Sequence, residues 1–203
     1  MSTMTHDTAA VAAAIATLET LDKQGESYGD ANGRHGWRNP IRQDTGHLLT
    51  TLTLAASPAR VLEVGTGHGL STLYLASGLT RPDAALDTIE LDPRVADGVR
   101  RRVADLGLPV QVFDGDALEV IAGLEHAYDL VFLDAQKDQY LPYLMALRDR
   151  GLLRPGAVIL ADNVIDRREE CRAFLDWFAA NDVPHRVIAT ECGLLVARLE
   201  GHA

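Results

Sequence analysis

The sequence has few cysteines, fewer basic than acidic residues and no hydrophobic run long enough to cross a membrane. Cys171 and Cys192 are the only cysteines in 203 residues. They are too few for the disulfide framework of a secreted domain, so we expect a cytoplasmic protein. No stretch reaches the roughly 18 apolar residues of a membrane-spanning helix. Lys and Arg total 19 against 29 Asp and Glu, a formal net charge of -10.

This charge bears on the partner that the protein binds. Proteins that bind nucleic acid or anionic membranes usually carry a positive net charge. We therefore expect a small-molecule substrate, with no nucleic acid and no membrane as partner. A homodimer is left open.

The rest of the composition fits a folded domain, with 47% hydrophobic and 24% charged residues. Near the start, Val11, Ile15 and Leu18 recur at helical spacing without a preceding basic region. This pattern predicts an amphipathic helix rather than a targeting segment. Residues 25–40 contain several glycines and are predicted to form a loop that covers a site. The expected organisation is one domain over 1–203, with a helical cap and lid over 1–50 and an α/β core over 58–203.

Short apolar runs alternate with amphipathic stretches through most of the chain. The runs lie at 60–64, 85–90, 110–113, 128–133 and 157–161, and the amphipathic stretches lie around 70–79, 94–106, 117–124, 138–150 and 167–180. This alternation predicts a doubly wound α/β fold, with parallel strands buried on both faces. Two further runs, 184–190 and 193–199, are too close for a crossover helix, so they should form an antiparallel hairpin.

A glycine-rich turn follows the first predicted strand. Residues 61–71 read VLEVGTGHGLS and place Gly65, Gly67 and Gly69 between a strand and a helix. Glycines at such a turn let the backbone bend tightly and let a ligand approach closely. Glu90 ends the next predicted strand, where a carboxylate accepts hydrogen bonds from ribose hydroxyls. The pattern favours a ligand that contains adenosine.

The spacing of the glycines separates two classes of ligand. The dinucleotide fingerprint is G-x-G-x-x-G, whereas this turn has G-x-G-x-G. Glu63 precedes the turn. Its carboxylate would repel a pyrophosphate but could face the cationic amino acid end of S-adenosylmethionine. An NAD-binding dehydrogenase is therefore the weaker alternative.

Acidic and amide side chains end two of the predicted strands. Asp134 follows the fourth strand, and Asp162 and Asn163 follow the fifth. Because the carboxyl ends of neighbouring parallel strands lie at one edge of a sheet, the three oxygens can converge. Hard oxygen ligands suit Mg²⁺ or Ca²⁺ rather than zinc. Each residue alone has a simpler explanation, as a helix cap or a turn residue.

At this point the chain resembles the Mg-dependent S-adenosylmethionine O-methyltransferases of the catechol and caffeoyl-CoA type. The resemblance runs from about Trp37 to Leu199 and is densest over 128–165, YDLVFLDAQKDQYLPYLMALRDRGLLRPGAVILADNVI. It implies a Rossmann-like class I methyltransferase fold. The implied sheet has seven strands in the order 3-2-1-4-5-7-6, with the last strand antiparallel and helices on both faces.

The resemblance also implies roles for individual residues. Glu63, Gly65 and Ser71 would hold the amino acid end of S-adenosylmethionine, the backbone of Ile41 would contact its methionine moiety, and Gly67 and Asp134 would also line its pocket. Glu90 would bind the ribose, and Asp116 and Ala117 would flank the adenine. Asp134, Asp162 and Asn163 would bind Mg²⁺ or another divalent cation. Trp37, Lys137 and Asn163 would contact the substrate.

Lys137 lies three residues after Asp134, where most lysines would simply be solvated surface residues. Beside a divalent cation, however, its ammonium form is disfavoured, which suits a general base. The resemblance gives Lys137 this catalytic role: it would remove a phenolic proton so that the oxygen can attack the methyl group of the sulfonium.

The chain departs from the catechol enzymes at three points. Gln136 replaces an aromatic residue beside the adenine, Arg167 replaces a proline at the substrate gate, and the glutamate that contacts the second catechol oxygen has no match. Trp37 fits an aromatic gate position but could equally be a buried loop anchor. Gln136 removes a stacking contact with the adenine, and the other departures bear on which acceptor is used.

The expected function is Mg-dependent O-methylation of a small vicinal dihydroxy aromatic. One alternative is a class I methyltransferase acting on another small molecule, a protein or a nucleic acid. The acidic charge and the sequence Asp162-Asn163-Val164-Ile165, in place of a Pro-Pro-aromatic motif, weigh against a nucleic-acid acceptor. The remaining alternatives are the dehydrogenase and a non-catalytic protein that binds the cofactor.

Overall fold

A single seven-stranded sheet, in the order β3-β2-β1-β4-β5-β7-β6, forms the centre of the protein. The computed structural model describes residues 7–23 and 40–200. Its strands are β1 (Arg60–Val64), β2 (Ala85–Glu90), β3 (Val110–Asp114), β4 (Tyr128–Leu133), β5 (Leu153–Ala161), β6 (His185–Ile188) and β7 (Leu194–Arg198). Its helices are α1 (Thr8–Lys23), α2 (Gln43–Ala56), α3 (Leu70–Ser77), α4 (Pro93–Asp105), α5 (Ala117–Gly123), α6 (Tyr140–Asp149) and α7 (Arg172–Ala180), with a 3-10 turn over Lys137–Gln139 before α6.

The central strands are parallel and buried on both faces, which confirms the doubly wound fold and its strand order. Alternate side chains of each strand enter two separate cores. Val61 and Leu130 pack on one face with α1 to α4, whereas Leu62 and Val131 pack on the other with α5 to α7. All four side chains are fully buried. The helices on both sides therefore require apolar residues at most positions of β1 and β4.

The predicted hairpin at the end of the chain is present. β6 and β7 pair antiparallel, and β7 also pairs antiparallel with β5, with Leu160 opposite Val196. β7 thus lies between β5 and β6 and runs antiparallel to both. Its turn, residues 189–193, lies beside the segment that leaves β5.

Two predicted boundaries differ from the structure by more than two residues. β5 begins at Leu153 rather than at 157, because Leu153 pairs with Tyr128 before the ladder breaks and resumes at Val158 opposite Leu130. α7 begins at Arg172 rather than near 167. Before it, backbone N–H groups of 164–166 donate to carbonyls of the β6–β7 turn instead of continuing a helix.

The predicted N-terminal helix is confirmed as α1. Val11 and Leu18 are buried in the core, and Glu19 accepts a hydrogen bond from the hydroxyl of Tyr74 in α3. The loop predicted over 25–40 lies, except for residue 40, outside the described residues. Among the helices of 7–23 and 40–200, none is both long enough and apolar enough to span a bilayer.

Gly193 in the β6–β7 turn offers a test of this packing. It has φ +84°, and a Cβ there would lie 2.3 Å from Ile165 Cγ1, whereas Gly107 has φ +63° with open space around it. Gly107→Ala should lose about 1–2 kcal/mol of unfolding free energy from the left-handed backbone alone. Gly193→Ala should lose a further 1–3 kcal/mol or so from the overlap. Urea unfolding of both variants measures the difference, and equal losses would show that Ile165 moves aside without cost.

Candidate functional site

The residues singled out in the sequence gather at the carboxyl edge of the parallel strands. The glycine-rich turn follows β1, Glu90 ends β2, Asp134 follows β4, and Asp162 and Asn163 follow β5. Since β1 pairs with both β2 and β4, and β4 pairs with β5, these segments are neighbours. Crevices of this kind, at the edge where strand order reverses, bind ligands in open α/β sheets.

Two glycines of the turn serve different purposes. At Gly65, φ is +101° and a Cβ would lie 2.5 Å from the Asp134 carbonyl oxygen, so the packing of the protein itself requires glycine. At Gly67, φ is +50° and a Cβ would have nothing within 4 Å. The backbone at Gly67 therefore borders open space, where a ligand could approach it closely.

Glu90 fastens the glycine-rich turn to the end of β2. Its Oε2 accepts a hydrogen bond from the Gly67 N–H at 2.8 Å, and its Oε1 accepts one from the Asp92 N–H at 3.0 Å. Burial nevertheless raises the pKa of Glu90 above its usual value. Each carboxylate oxygen has more than one lone pair, so both can also accept from the hydroxyls of a sugar.

Glu63 is a fully buried carboxyl group beneath the turn. Its Oε2 accepts hydrogen bonds from the hydroxyls of Thr72 and Thr88, both at 2.6 Å. Its Oε1 is buried and has no hydrogen-bond partner among the described residues. A buried oxygen without a donor is costly unless a ligand supplies one.

Burial raises the pKa of Glu63 to about 7. Hydroxyl groups, including that of the buried Ser71, lower this pKa, and the charge of Asp134 raises it further. A cationic group placed at Oε1 would satisfy the oxygen and stabilise the ionised carboxylate. This is the chemistry expected for the ammonium end of S-adenosylmethionine.

The residues predicted to contact the adenine and the methionine moiety have ordinary structural roles in the fold. Asp116 caps α5, because its Oδ1 accepts from the N–H groups of Leu118 and Glu119, at 2.9 and 3.3 Å. Ala117 is buried behind it, and the Ile41 side chain packs in the core before α2. Their cofactor contacts remain predictions. The predicted substrate contact Trp37 lies outside the described residues.

Lys137 is not a solvated surface lysine. Its side chain is only 15% exposed, and its Nζ donates a hydrogen bond to Asp134 Oδ1 at 2.7 Å. The same Nζ lies 5.3 Å from the centre of the Tyr140 ring. The Tyr140 hydroxyl donates to the Asp162 carbonyl oxygen at 3.2 Å. Tyr140, which is fully buried, thus links the lysine to the end of β5.

Asp134, whose side chain is 11% exposed, and the buried Asp162 are neighbouring carboxyl groups. Asp162 is 2% exposed, and its Oδ1 has no hydrogen-bond partner among the described residues. Burial, together with the charge of Asp134, raises the pKa of Asp162 to about 7. Burial likewise raises the pKa of Asp134, while Lys137 opposes the shift. Two buried like charges disfavour ionisation of each other, and a bound cation would reverse this effect.

These residues fit a divalent cation that prefers oxygen ligands. Asp134 and Asp162 offer carboxylates, Asn163 offers an amide, and the partnerless Asp162 oxygen needs a positive partner. The set contains only two carboxylates. Across 7–23 and 40–200, no three His, Cys, Asp or Glu side chains come together as metal ligands. The amide of Asn163 is therefore needed to complete a three-residue set.

Sequence reasoning missed two residues that contact the site. Asp166 Oδ2 accepts a hydrogen bond from Asn163 Nδ2 at 3.3 Å. Arg102 Nη1 donates to the His68 carbonyl oxygen in the glycine-rich turn at 2.7 Å. Arg102 belongs to a run of three arginines in α4, and it makes this contact because α4 packs against the turn. Neither contact follows a spacing that the sequence displays.

Comparison with known proteins shows what this chain is similar to. A family model described as "Methyltransferase domain" matches residues 62–164. Catechol O-methyltransferase B of Danio rerio is 39% identical over 136 residues, which are 64% of this chain and 51% of that protein. Catechol O-methyltransferase of Mycobacterium tuberculosis is 34% identical over 168 residues, 81% of this chain and 69% of that protein. The match thus spans only about half of the fish protein.

Solved structures give the same picture. The O-methyltransferase TomG of Streptomyces achromogenes, in complex with SAM, is 26% identical with a TM-score of 0.77, over 92% of this chain and 90% of that one. The cofactor-bound protein Rv0187 from MTB is 29% identical with a TM-score of 0.77, over 99% of this chain and 94% of that one.

The raised pKa of Glu63 predicts how stability depends on pH. Between 4.5 and about 7 the unfolded chain loses the Glu63 proton while the folded protein keeps it. Stability therefore falls as pH rises through this window, and Glu63→Gln should remove about 2–3 kcal/mol of that fall between pH 5 and pH 8. Urea unfolding at the two pH values measures it. Glu125→Gln, on the surface, should leave the wild-type pH dependence intact. If Glu63→Gln also kept the wild-type pH dependence, the raised pKa of Glu63 would be contradicted.

Proposed function

Because the chain belongs to the methyltransferase domain family, we propose that it is an S-adenosylmethionine-dependent O-methyltransferase that requires Mg²⁺ or another divalent cation. Its acceptor is one hydroxyl group of a small vicinal dihydroxy aromatic. The observation that carries the proposal is the buried group of Lys137, Asp134 and Asp162 beside the glycine-rich turn. The names of the catechol O-methyltransferase relatives support the acceptor class.

The cofactor pocket is proposed to extend from Glu63 to Glu90 across the turn. Glu63 Oε1 neutralises the ammonium group, and Glu90 accepts from the ribose hydroxyls, while the open space at Gly67 admits the cofactor. Ser71, Gly65 and Ile41 line the amino acid end, and Asp116 and Ala117 flank the adenine. When bound, S-adenosylmethionine supplies the methyl group, and a divalent cation stabilises the negative charge that develops on the acceptor oxygen.

The residues on the other side of the turn prepare the acceptor. Asp134, Asp162 and Asn163 would hold the cation, which would disfavour the ammonium form of Lys137. The neutral amine of Lys137 would then take the proton from the hydroxyl group that is methylated. Asp134 and the Tyr140 ring fix Lys137 within the site, so its proton acceptor has a defined position. Trp37 and Asn163 complete the substrate contacts. Orientation of the attacking oxygen supplies much of the remaining acceleration.

The proposed organisation is one domain over 1–203, in which 1–50 forms a cap and lid over the α/β core of 58–203. The pocket lies at the edge of the core from which the lid would exclude water. Water exclusion strengthens the electrostatic interactions among the buried carboxylates and the cation. We place the protein in the cytoplasm, where S-adenosylmethionine is made and used.

Lys137 is the residue whose removal should most affect turnover. Lys137→Met keeps the length of the side chain but removes the proton acceptor, so kcat should fall by about 10²–10⁴-fold. Lys137→Arg serves as the matched variant, since it keeps the positive charge beside Asp134 but cannot be deprotonated. Steady-state kinetics on a catechol should show a large loss in both variants. Near wild-type kcat in Lys137→Arg would mean that Lys137 acts only through its charge.

The proposed acceptor class is tested by a matched pair of substrates. A cation held by Asp134, Asp162 and Asn163 would have positions left for an acceptor with two adjacent oxygens, which would orient the attacking oxygen. A catechol should exceed its monodeoxy analogue by at least about 100-fold in kcat/KM, near 2.7 kcal/mol. Chelator should abolish turnover and Mg²⁺ should restore it. Equal kcat/KM for the two phenols would contradict two-point binding, and full activity in chelator would contradict the metal requirement.

A further inference from the structure

Asn163 adopts an unusual backbone conformation at the end of β5. Its φ is +65°, in the left-handed region that asparagine tolerates better than most residues with a side chain. It is 7% exposed and directly follows the buried Asp162. Its position is therefore set by the fold, and the open question is which end of its amide group is available to a ligand.

The neighbouring carboxylate answers that question. Asn163 Nδ2 donates to Asp166 Oδ2 at 3.3 Å. An ionised carboxylate only accepts hydrogen bonds, so the amide must present its NH₂ group to Asp166 and not its oxygen. The side-chain oxygen of Asn163, Oδ1, is the end of the amide that stays available to a ligand. A hard divalent cation binds amides through this oxygen and not through the nitrogen.

Asp166 is itself held in place by the reversed part of the sheet. Its N–H donates to the Cys192 carbonyl oxygen at 3.3 Å, and the Ile165 N–H donates to the same oxygen at 2.9 Å. The Asp166 side chain is 37% exposed, and Arg167 Nε lies 3.9 Å from its Oδ2. The backbone contacts do not depend on the carboxylate, so replacing the side chain should leave the loop in place.

From this geometry we infer that Asp166 is a positioning residue for the divalent cation: it orients the Asn163 amide so that the carbonyl oxygen is the atom offered to the metal. The inference rests on the metal requirement of the proposed function. Partners that orient metal ligands in this way typically change metal affinity by about 10- to 100-fold.

Binding of Mn²⁺ to the full chain, followed by electron paramagnetic resonance without cofactor or substrate, tests the inference. Asp166→Ala removes the acceptor and should weaken Mn²⁺ binding by about 10- to 100-fold. Asp166→Asn keeps an oxygen that can accept from Asn163, so it should stay within roughly threefold of the wild type, because orientation rather than charge is what it preserves. Glu170→Ala removes another carboxylate of the same loop, which pairs with Arg167, and should bind like the wild type.

The outcomes separate this inference from the proposed function. If the wild type binds no Mn²⁺, the metal requirement fails and the role of Asp166 fails with it. If the wild type and Asp166→Ala bind equally, Asp166 does not position Asn163, although the metal site stands. Equal losses in Asp166→Asn and Asp166→Ala would show that charge alone acts, which also overturns the inference. Melting curves check folding, and Asp166→Ser, too short to reach the amide, replaces the alanine variant if that one does not fold.

Discussion

The close approach of two strand ends, at Gly65 and Asp134, is the constraint on which the rest of the site depends. β1 and β4 are adjacent and parallel, and the Asp134 N–H donates to the Val64 carbonyl oxygen at 2.9 Å. No Cβ fits between Gly65 and the Asp134 carbonyl. As a result, the carboxyl group beneath the glycine-rich turn and the one after β4 are close enough for their charges to interact.

This proximity places several acidic groups close together in a pocket with little solvent. Glu63, Asp134 and Asp162 are all buried acids with raised pKa values, and Lys137 is paired with only one of them. Burial of like charges costs stability in the folded protein. A cationic cofactor group and a divalent cation would each reverse part of this cost. Perturbed acids in a cleft are a common sign of a functional site, and here each has a ligand of opposite charge that would explain it.

Much of the fold could be predicted from the sequence, because parallel strands buried on both faces leave continuous apolar runs. β1, β2 and β4 appear at their predicted bounds for this reason. The start of β5 could not be predicted in this way. Arg154, Pro155 and Gly156 carry no apolar pattern, and the pairing with β4 is interrupted there. The strand order came from the resemblance to a family, not from the pattern of the runs.

The site could be predicted only where its residues follow strand ends. Asp134 and Asp162 follow strand ends, and Glu90 is the last residue of β2, positions that the topology of an α/β sheet marks in advance. Arg102 and Asp166 do not, because Arg102 reaches the site from α4 and the loop of Asp166 is held by the distant Cys192 carbonyl. The tight pairing of Lys137 with Asp134 was likewise invisible, as nothing in the spacing distinguishes it from a solvated lysine.

The antiparallel strand β7 also affects the geometry of the site. In a parallel arrangement, the segment after β5 would run directly into a helix. Here β7 lies beside β5, and its turn presents the carbonyls of Cys192 and Gly193 to the N–H groups of 164–166. These hydrogen bonds direct the N–H groups of 164–166 away from a helix, and α7 begins at Arg172. Asn163 can then take up its left-handed backbone, and Asp166 comes within reach of its amide. The departure from the parallel pattern therefore sets the geometry of the third oxygen ligand.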